Sequence, residues 1–108
     1  MPLYGRHGTI RAKPGERDAL LAILTKGSGA SSMPGCRLYL VGTVVDDPDA
    51  IAVTEVWDDA ASHRASLSLD RVRETIAKAR PLIAGIGSAS EFVPVSGVER
   101  ESAGRTSI

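Results

Sequence analysis

Apolar and polar positions alternate with a period of two from Tyr4 to Ala12, which predicts a first strand. Tyr4, Arg6, Gly8, Ile10 and Ala12 share one face, and His7, Thr9 and Arg11 the other. Lys13-Pro14-Gly15 closes the strand, and Pro14 suits the first turn of a helix, where its missing N–H costs nothing. Glu16 and Asp18 bring negative charge to the positive end of that helix. Ala19, Leu20, Ile23, Leu24 and Gly27 then form an amphipathic stripe. Gly27 and Gly29 weaken the helix, which must stop before the turn signal Met33-Pro34-Gly35.

Arg37 to Val45 is the second predicted strand, with Leu38, Leu40 and Val44 on one face and Tyr39, Val41 and Val45 on the other. A strand apolar on both faces is expected to be covered on both. Asp46-Asp47-Pro48-Asp49 is a turn of hairpin length, so the third strand, Ile51 to Trp57, pairs antiparallel with the second. Asp58 and Asp59 can cap a short helix through Ala60, Ala61, His63, Ala65, Ser66 and Leu67. A further helix starts at Ser68-Leu69-Asp70, with Val72, Ile76, Ala79 and Ile83 as its apolar stripe, and Pro81 ends or kinks it near Arg80. Ser88 to Val95 is the last predicted strand.

This order, β-α-β-β-α-β, predicts an α+β, ferredoxin-like domain over residues 1–96, with a four-stranded antiparallel sheet and helices on one face. Residues 97–108 lack apolar periodicity and read as a flexible polar tail. The bare face of the sheet needs a cover, and a second copy of the chain is the simplest one, giving a homodimer.

Composition narrows the function. At 108 residues with a formal net charge of zero, the chain has no global field to draw in nucleic acid or an anionic membrane. Aromatic residues at 4% are too few for an RNA-stacking sheet. The single cysteine, Cys36, excludes an internal disulfide framework and fits a reducing compartment. No apolar leader or membrane span is apparent, so a cytoplasmic location is expected. No metal-ligand spacing and no phosphate loop are present: Gly27-Ser28-Gly29 follows a helix rather than a strand.

The candidate chemistry gathers where the third strand turns into the short helix. Ile51, Val53, Glu55 and Trp57 share a strand face, and His63 follows closely. Carboxylate, indole and imidazole at one corner resemble a pocket wall. His63, with an ordinary pKa near 6.5, is the candidate general base. Trp57 can stack on a ring, and Tyr39 can hydrogen-bond a hydroxyl or carbonyl. Arg6 or Arg80 can stabilise a developing anion, Ser66 lies on the same helix face as His63, and Glu55 can orient the histidine or pair with an arginine. Cys36 reads as a packing residue and His7 as a surface or dimer-interface residue.

The string TEVWDDAASHRASL, preceded by MPGCRLYLV and followed by ARPLIAG, resembles the antibiotic-biosynthesis monooxygenase family, most closely its quinol monooxygenase branch. The resemblance spans Tyr4 to Val95 and rests on the order and spacing of motifs that are individually weak. It implies a dimeric α/β barrel with a pocket between sheet and helices in each subunit. It also implies oxygenation of quinols, phenols or anthrones without metal, flavin or haem. One departure stands out: many members carry the helix histidine nine residues after the tryptophan, where this chain has Ser66, whereas His63 comes six after Trp57. The haem-degrading branch uses a strand-one asparagine where this chain has Gly8, and neither Ser66 nor Leu67 can ligate iron, so haem chemistry is disfavoured.

The sequence therefore predicts a cofactor-independent monooxygenase that takes a small aromatic substrate and molecular oxygen, with His63 as base. A non-catalytic small-molecule-binding or stress-response dimer of the same fold is the alternative. A haem-binding or haem-degrading protein is the third reading.

Overall fold

The computed structural model describes residues 2–26 and 33–97. Four strands, β1 (Tyr4–Ala12), β2 (Cys36–Thr43), β3 (Ala50–Trp57) and β4 (Ile83–Phe92), form one antiparallel sheet in the order β2-β3-β1-β4. Helices α1 (Arg17–Thr25), α2 (Ala60–Ser66) and α3 (Asp70–Ala79) complete a ferredoxin-like α+β fold, and a 3-10 turn (Arg80–Leu82) leads into β4. No helix among the described residues is long and apolar enough to cross a membrane.

Two Pro-Gly turns set the entries to α1 and β2. In Lys13-Pro14-Gly15-Glu16 the Glu16 N–H donates to the Lys13 carbonyl (2.9 Å), and in Met33-Pro34-Gly35-Cys36 the Cys36 N–H donates to the Met33 carbonyl (3.0 Å). Gly15 and Gly35 hold φ of +80° and +82°, the third position of a type II turn. Pro14 thus shapes the turn ahead of the helix, and α1 begins three residues later than a proline-led start would place it.

Alternation in β1 and β3 resolves into two faces. Ala12, Ile51, Val53, Leu20, Leu24 and Ala79 are buried between sheet and helices, with Ile10, Tyr39, Val41 and Ile83 packed against them. Ala79 is the buried end of the α3 stripe. At the far end of the sheet Asp47 ties the β2–β3 turn down, accepting from Arg11 (3.2 Å to the longer of two bonds), while its backbone carbonyl accepts from Arg17 (3.1 Å).

The opposite face of the sheet carries no helix. Leu38 and Leu40 lie there 41% and 58% exposed, and His7 hydrogen-bonds Thr54 across it at 2.8 Å. The expectation that β2 is covered on both faces therefore fails within a single chain, because all three helices stack on the other side. Phe92 packs over Gly5, where a Cβ would come within 2.5 Å of its ring.

Several boundaries differ from the sequence reading. β2 ends at Thr43, since Val44 turns to exchange backbone hydrogen bonds with Asp47 and Ala50, leaving Val45 95% exposed. Ile83 belongs to β4, opposite Ala12, and not to the α3 stripe, because the proline-containing 3-10 turn ends the helix before another turn can form. β4 consequently begins five residues earlier than expected and stops at Phe92. Gly27, Gly29 and the tail beyond Gly97 lie outside the described residues.

Candidate active site

The site forms where β3 ends and α2 begins. Asp58 extends the strand, its N–H donating to the Gly35 carbonyl at 2.8 Å. Asp59 then caps α2, its carboxylate accepting the Ser62 N–H at 2.7 Å. That bond holds the Asp59 carboxyl below its usual range. One turn into α2, His63 points back over the strand ends.

Its imidazole is held by rings on two sides. Trp57 meets it edge to face, with centroids 5.4 Å apart, and Tyr4 is tilted against it at 5.9 Å. Tyr4 and Trp57 are direct partners in the β1–β3 register, so one histidine covers both. Among the described residues neither imidazole nitrogen has a hydrogen-bond partner. Burial pushes the His63 pKa below 6.5, and the nearby Arg6 charge lowers it further against the partial opposition of Glu55 and Glu91. The ring is neutral at neutral pH, with a lone pair available for a proton.

Arg6 lies between Glu55 and Glu91 in the sheet register. Its guanidinium donates to the Tyr4 hydroxyl (2.8 Å) and lies 3.7 Å from the Glu91 carboxylate, to which the Tyr4 hydroxyl also donates. Glu55 instead accepts the Trp57 indole N–H at 2.9 Å, so it orients the tryptophan and does not pair with an arginine.

Below these groups a cleft of about 680 Å³ opens between α1, α3 and the end of the sheet. That volume suits a small organic ligand. His63, Trp57, Tyr39, Glu55 and Ser66 line it together, drawn from three separate elements. Trp57 is only 1% exposed, so it is both core and wall. Burial, with the Glu55 charge, pushes the Tyr39 phenol up to about 12, so it stays a neutral donor. The Ser66 hydroxyl is spent on the His63 carbonyl at 2.7 Å.

Two residues singled out from the sequence are elsewhere. Arg6 is not part of the cleft wall and bears on His63 through its charge and through Tyr4. Arg80 lines a separate groove with Arg73, Ile76 and Ala77, on another side of α3. Residues missed from the sequence are Tyr4, Glu91 and the cleft-lining Lys26, Arg71 and Lys78. Alternation already put Tyr4 on the Arg6 face; only the strand register could set it opposite Trp57. Burial pushes the Cys36 thiol up, away from the reactive thiolate, and its S–H donates to the Leu38 carbonyl at 3.5 Å. Among the described residues no group of three or more His, Cys, Asp or Glu is arranged to hold a metal ion.

A family model described as antibiotic biosynthesis monooxygenase matches residues 3–78. The chain belongs to the antibiotic biosynthesis monooxygenase family. A solved structure of a "putative Antibiotic biosynthesis monooxygenase" from Chloroflexus aurantiacus J-10-fl is 56% identical, with a TM-score of 0.84 over 90% of this chain and 97% of that one. More distant folds of the same kind include a Deinococcus radiodurans protein (22% identity, TM-score 0.71, 92% of this chain and 99% of that one). A Shewanella oneidensis protein likewise shares the fold (18% identity, TM-score 0.75, 86% and 91%). A comparison with curated proteins finds no match.

Proposed function

We propose that this family member is a monooxygenase that needs no cofactor and oxidises a quinol or polycyclic phenol with molecular oxygen, His63 acting as general base. The observation that carries the reading is a neutral imidazole, free of hydrogen bonds among the described residues, held by Tyr4 and Trp57 at the wall of an apolar-sided cleft.

His63 takes the substrate's hydroxyl proton. Moving it from a phenol of pKa about 10 to an imidazole below 6.5 is uphill by about 5 kcal/mol. Tyr39, a neutral hydroxyl donor on the cleft wall, reduces that cost by hydrogen-bonding the phenolate. The electron-rich anion gives one electron to oxygen, and the resulting radical and superoxide join as a carbon-bound peroxide. The protonated His63 returns its proton to the distal peroxide oxygen. Loss of water from the hydroperoxide and the hydrogen on the same carbon leaves a carbonyl. The sum is substrate plus O2 giving a product with one more oxygen and two fewer hydrogens, plus water.

We also propose that the protein works as a homodimer in a cytoplasmic setting, two copies closing the dimeric barrel through their bare sheet faces. Leu38, Leu40 and Phe92, all exposed on one chain, support that packing.

Oxygen uptake by purified protein with a panel of naphthoquinols and anthrones, corrected for autoxidation, tests the reaction. Uptake well above background that collapses in His63→Ala is expected. Equal uptake in both proteins removes His63 as the base, and no uptake with any ring points to the non-catalytic binding module.

A further inference from the structure

The formal net charge of the chain is zero, yet the cleft mouth is not neutral. Lys26 follows the end of α1, Arg71 sits in the first turn of α3 and Lys78 in its last turn; all three are exposed and line the cleft. Glu74 is the acid that accompanies them. The other carboxylate on the wall, Glu55, is engaged by the Trp57 N–H.

On α3 the positions Arg71, Glu74, Thr75 and Lys78 recur at i, i+3, i+4 and i+7, a single helical stripe turned to the cleft. Among the described residues Lys26, Lys78 and Glu74 form no ion pair. A helix places Glu74 and Lys78 at favourable i, i+4 spacing, and still they do not close on each other. Leu67, Ile76 and Ile23 supply apolar wall alongside these charges.

We infer that the cleft selects aromatic substrates bearing an anionic group, such as a carboxylate, at the end of the molecule that faces solvent. The ring enters toward Trp57 and His63, and the anion stays at the mouth near Lys26, Arg71 and Lys78. This rests on the reading of the cleft as the substrate site and adds the charge of the substrate to it. A neutral quinol fills the same apolar wall but leaves Lys26 and Lys78 without a counter-charge.

The test uses quinones, the oxidised and unreactive counterparts of the substrates, so that it does not depend on turnover. A naphthoquinone with a carboxylate on a three-carbon tether is compared with its methyl ester. Quenching of Trp57, the single tryptophan, reads the Kd of each. A unit charge about 6 Å from another in a water-like medium changes binding by about threefold. The acid is therefore expected to bind about tenfold more tightly than the ester at low salt. The double variant Lys26→Gln, Lys78→Gln brings the acid-to-ester ratio to within about threefold, and Glu74→Gln raises it by about threefold. Half-molar salt compresses the wild-type ratio. Equal affinities for acid and ester in the wild type, or a preference that survives in the double variant, overturns the proposal while leaving the cleft as a ring site. Quenching by neither ligand overturns it as well, and oxygen uptake with unsubstituted quinols then decides whether the ring site stands.

Discussion

Gly15 and Gly35 have the same backbone conformation in different surroundings, so substituting alanine at each separates two costs. At Gly15, φ is +80° and nothing lies within 4 Å of a Cβ, so Gly15→Ala carries only the left-handed backbone penalty, about 1–2 kcal/mol. At Gly35, φ is +82° and the added Cβ would lie 2.7 Å from both the Cβ and Oγ of Ser62. Ser62 cannot simply swing away, because its Cβ is fixed to a backbone whose N–H is bound by Asp59 at 2.7 Å. Overpacking of this kind adds about 1–2 kcal/mol, so Gly35→Ala is expected to cost about 2–4 kcal/mol. Equilibrium urea unfolding of both variants gives the two values. The double variant Gly35→Ala, Ser62→Gly removes the clash and should show a favourable coupling of about 1–2 kcal/mol in a double-mutant cycle. Equal destabilisation at Gly15 and Gly35, or zero coupling with Ser62, refutes the reasoning that the Gly35 turn seats α2 by close contact.

Three further outcomes follow from the site and the sheet. Because the His63 pKa lies below 6.5, the acid limb of kcat/KM should fall below pH 6.5, and Arg6→Gln, which removes one of the lowering causes, should move it upward; a limb above 6.5 or a downward move contradicts the assignment. The same depression makes the unfolded state bind more protons between the folded pKa and about 6.5, so the histidine's contribution to stability rises with pH through that window and is complete above it. On the bare face, Leu40→Asp places a charge where a second sheet would pack; sedimentation should show a dimer for the wild type and monomers for the variant, and an unchanged dimer would place the interface elsewhere.

Where a local pattern was governed by local physics, the sequence was a reliable guide. The bounds of β1 follow from alternation and the Pro-Gly turn, and the switch from period two to helical spacing located the corner that carries Trp57 and His63. The start of β4 was hidden because Ala84-Gly85-Ile86-Gly87 has little strand character of its own; these residues are extended because the edge of β1 requires a partner. Ile83 continued an apolar helical spacing on paper, yet the turn at Pro81 had already ended the helix. Within the site, Glu55 and Trp57 were placed correctly relative to each other by alternation, but whether Glu55 would face an arginine or the indole depended on side-chain competition across three strands. Arg80 and Lys78 are two residues apart and point into different grooves, a distinction that needs the rotation of α3 against the sheet.

The seven residues of α2 have a consequence for behaviour on warming. A helix this short is not stable by itself and persists through its Asp59 cap and its seat against Gly35. Trp57, Glu55 and Tyr39 stand on strands bonded along the sheet, so the floor of the site and the helix bearing His63 have different lifetimes. As temperature rises, the imidazole is expected to leave its place against Trp57 while the sheet is still intact. On the proposed role of His63, activity is then expected to be lost with the fraying of this short helix, before the core melts.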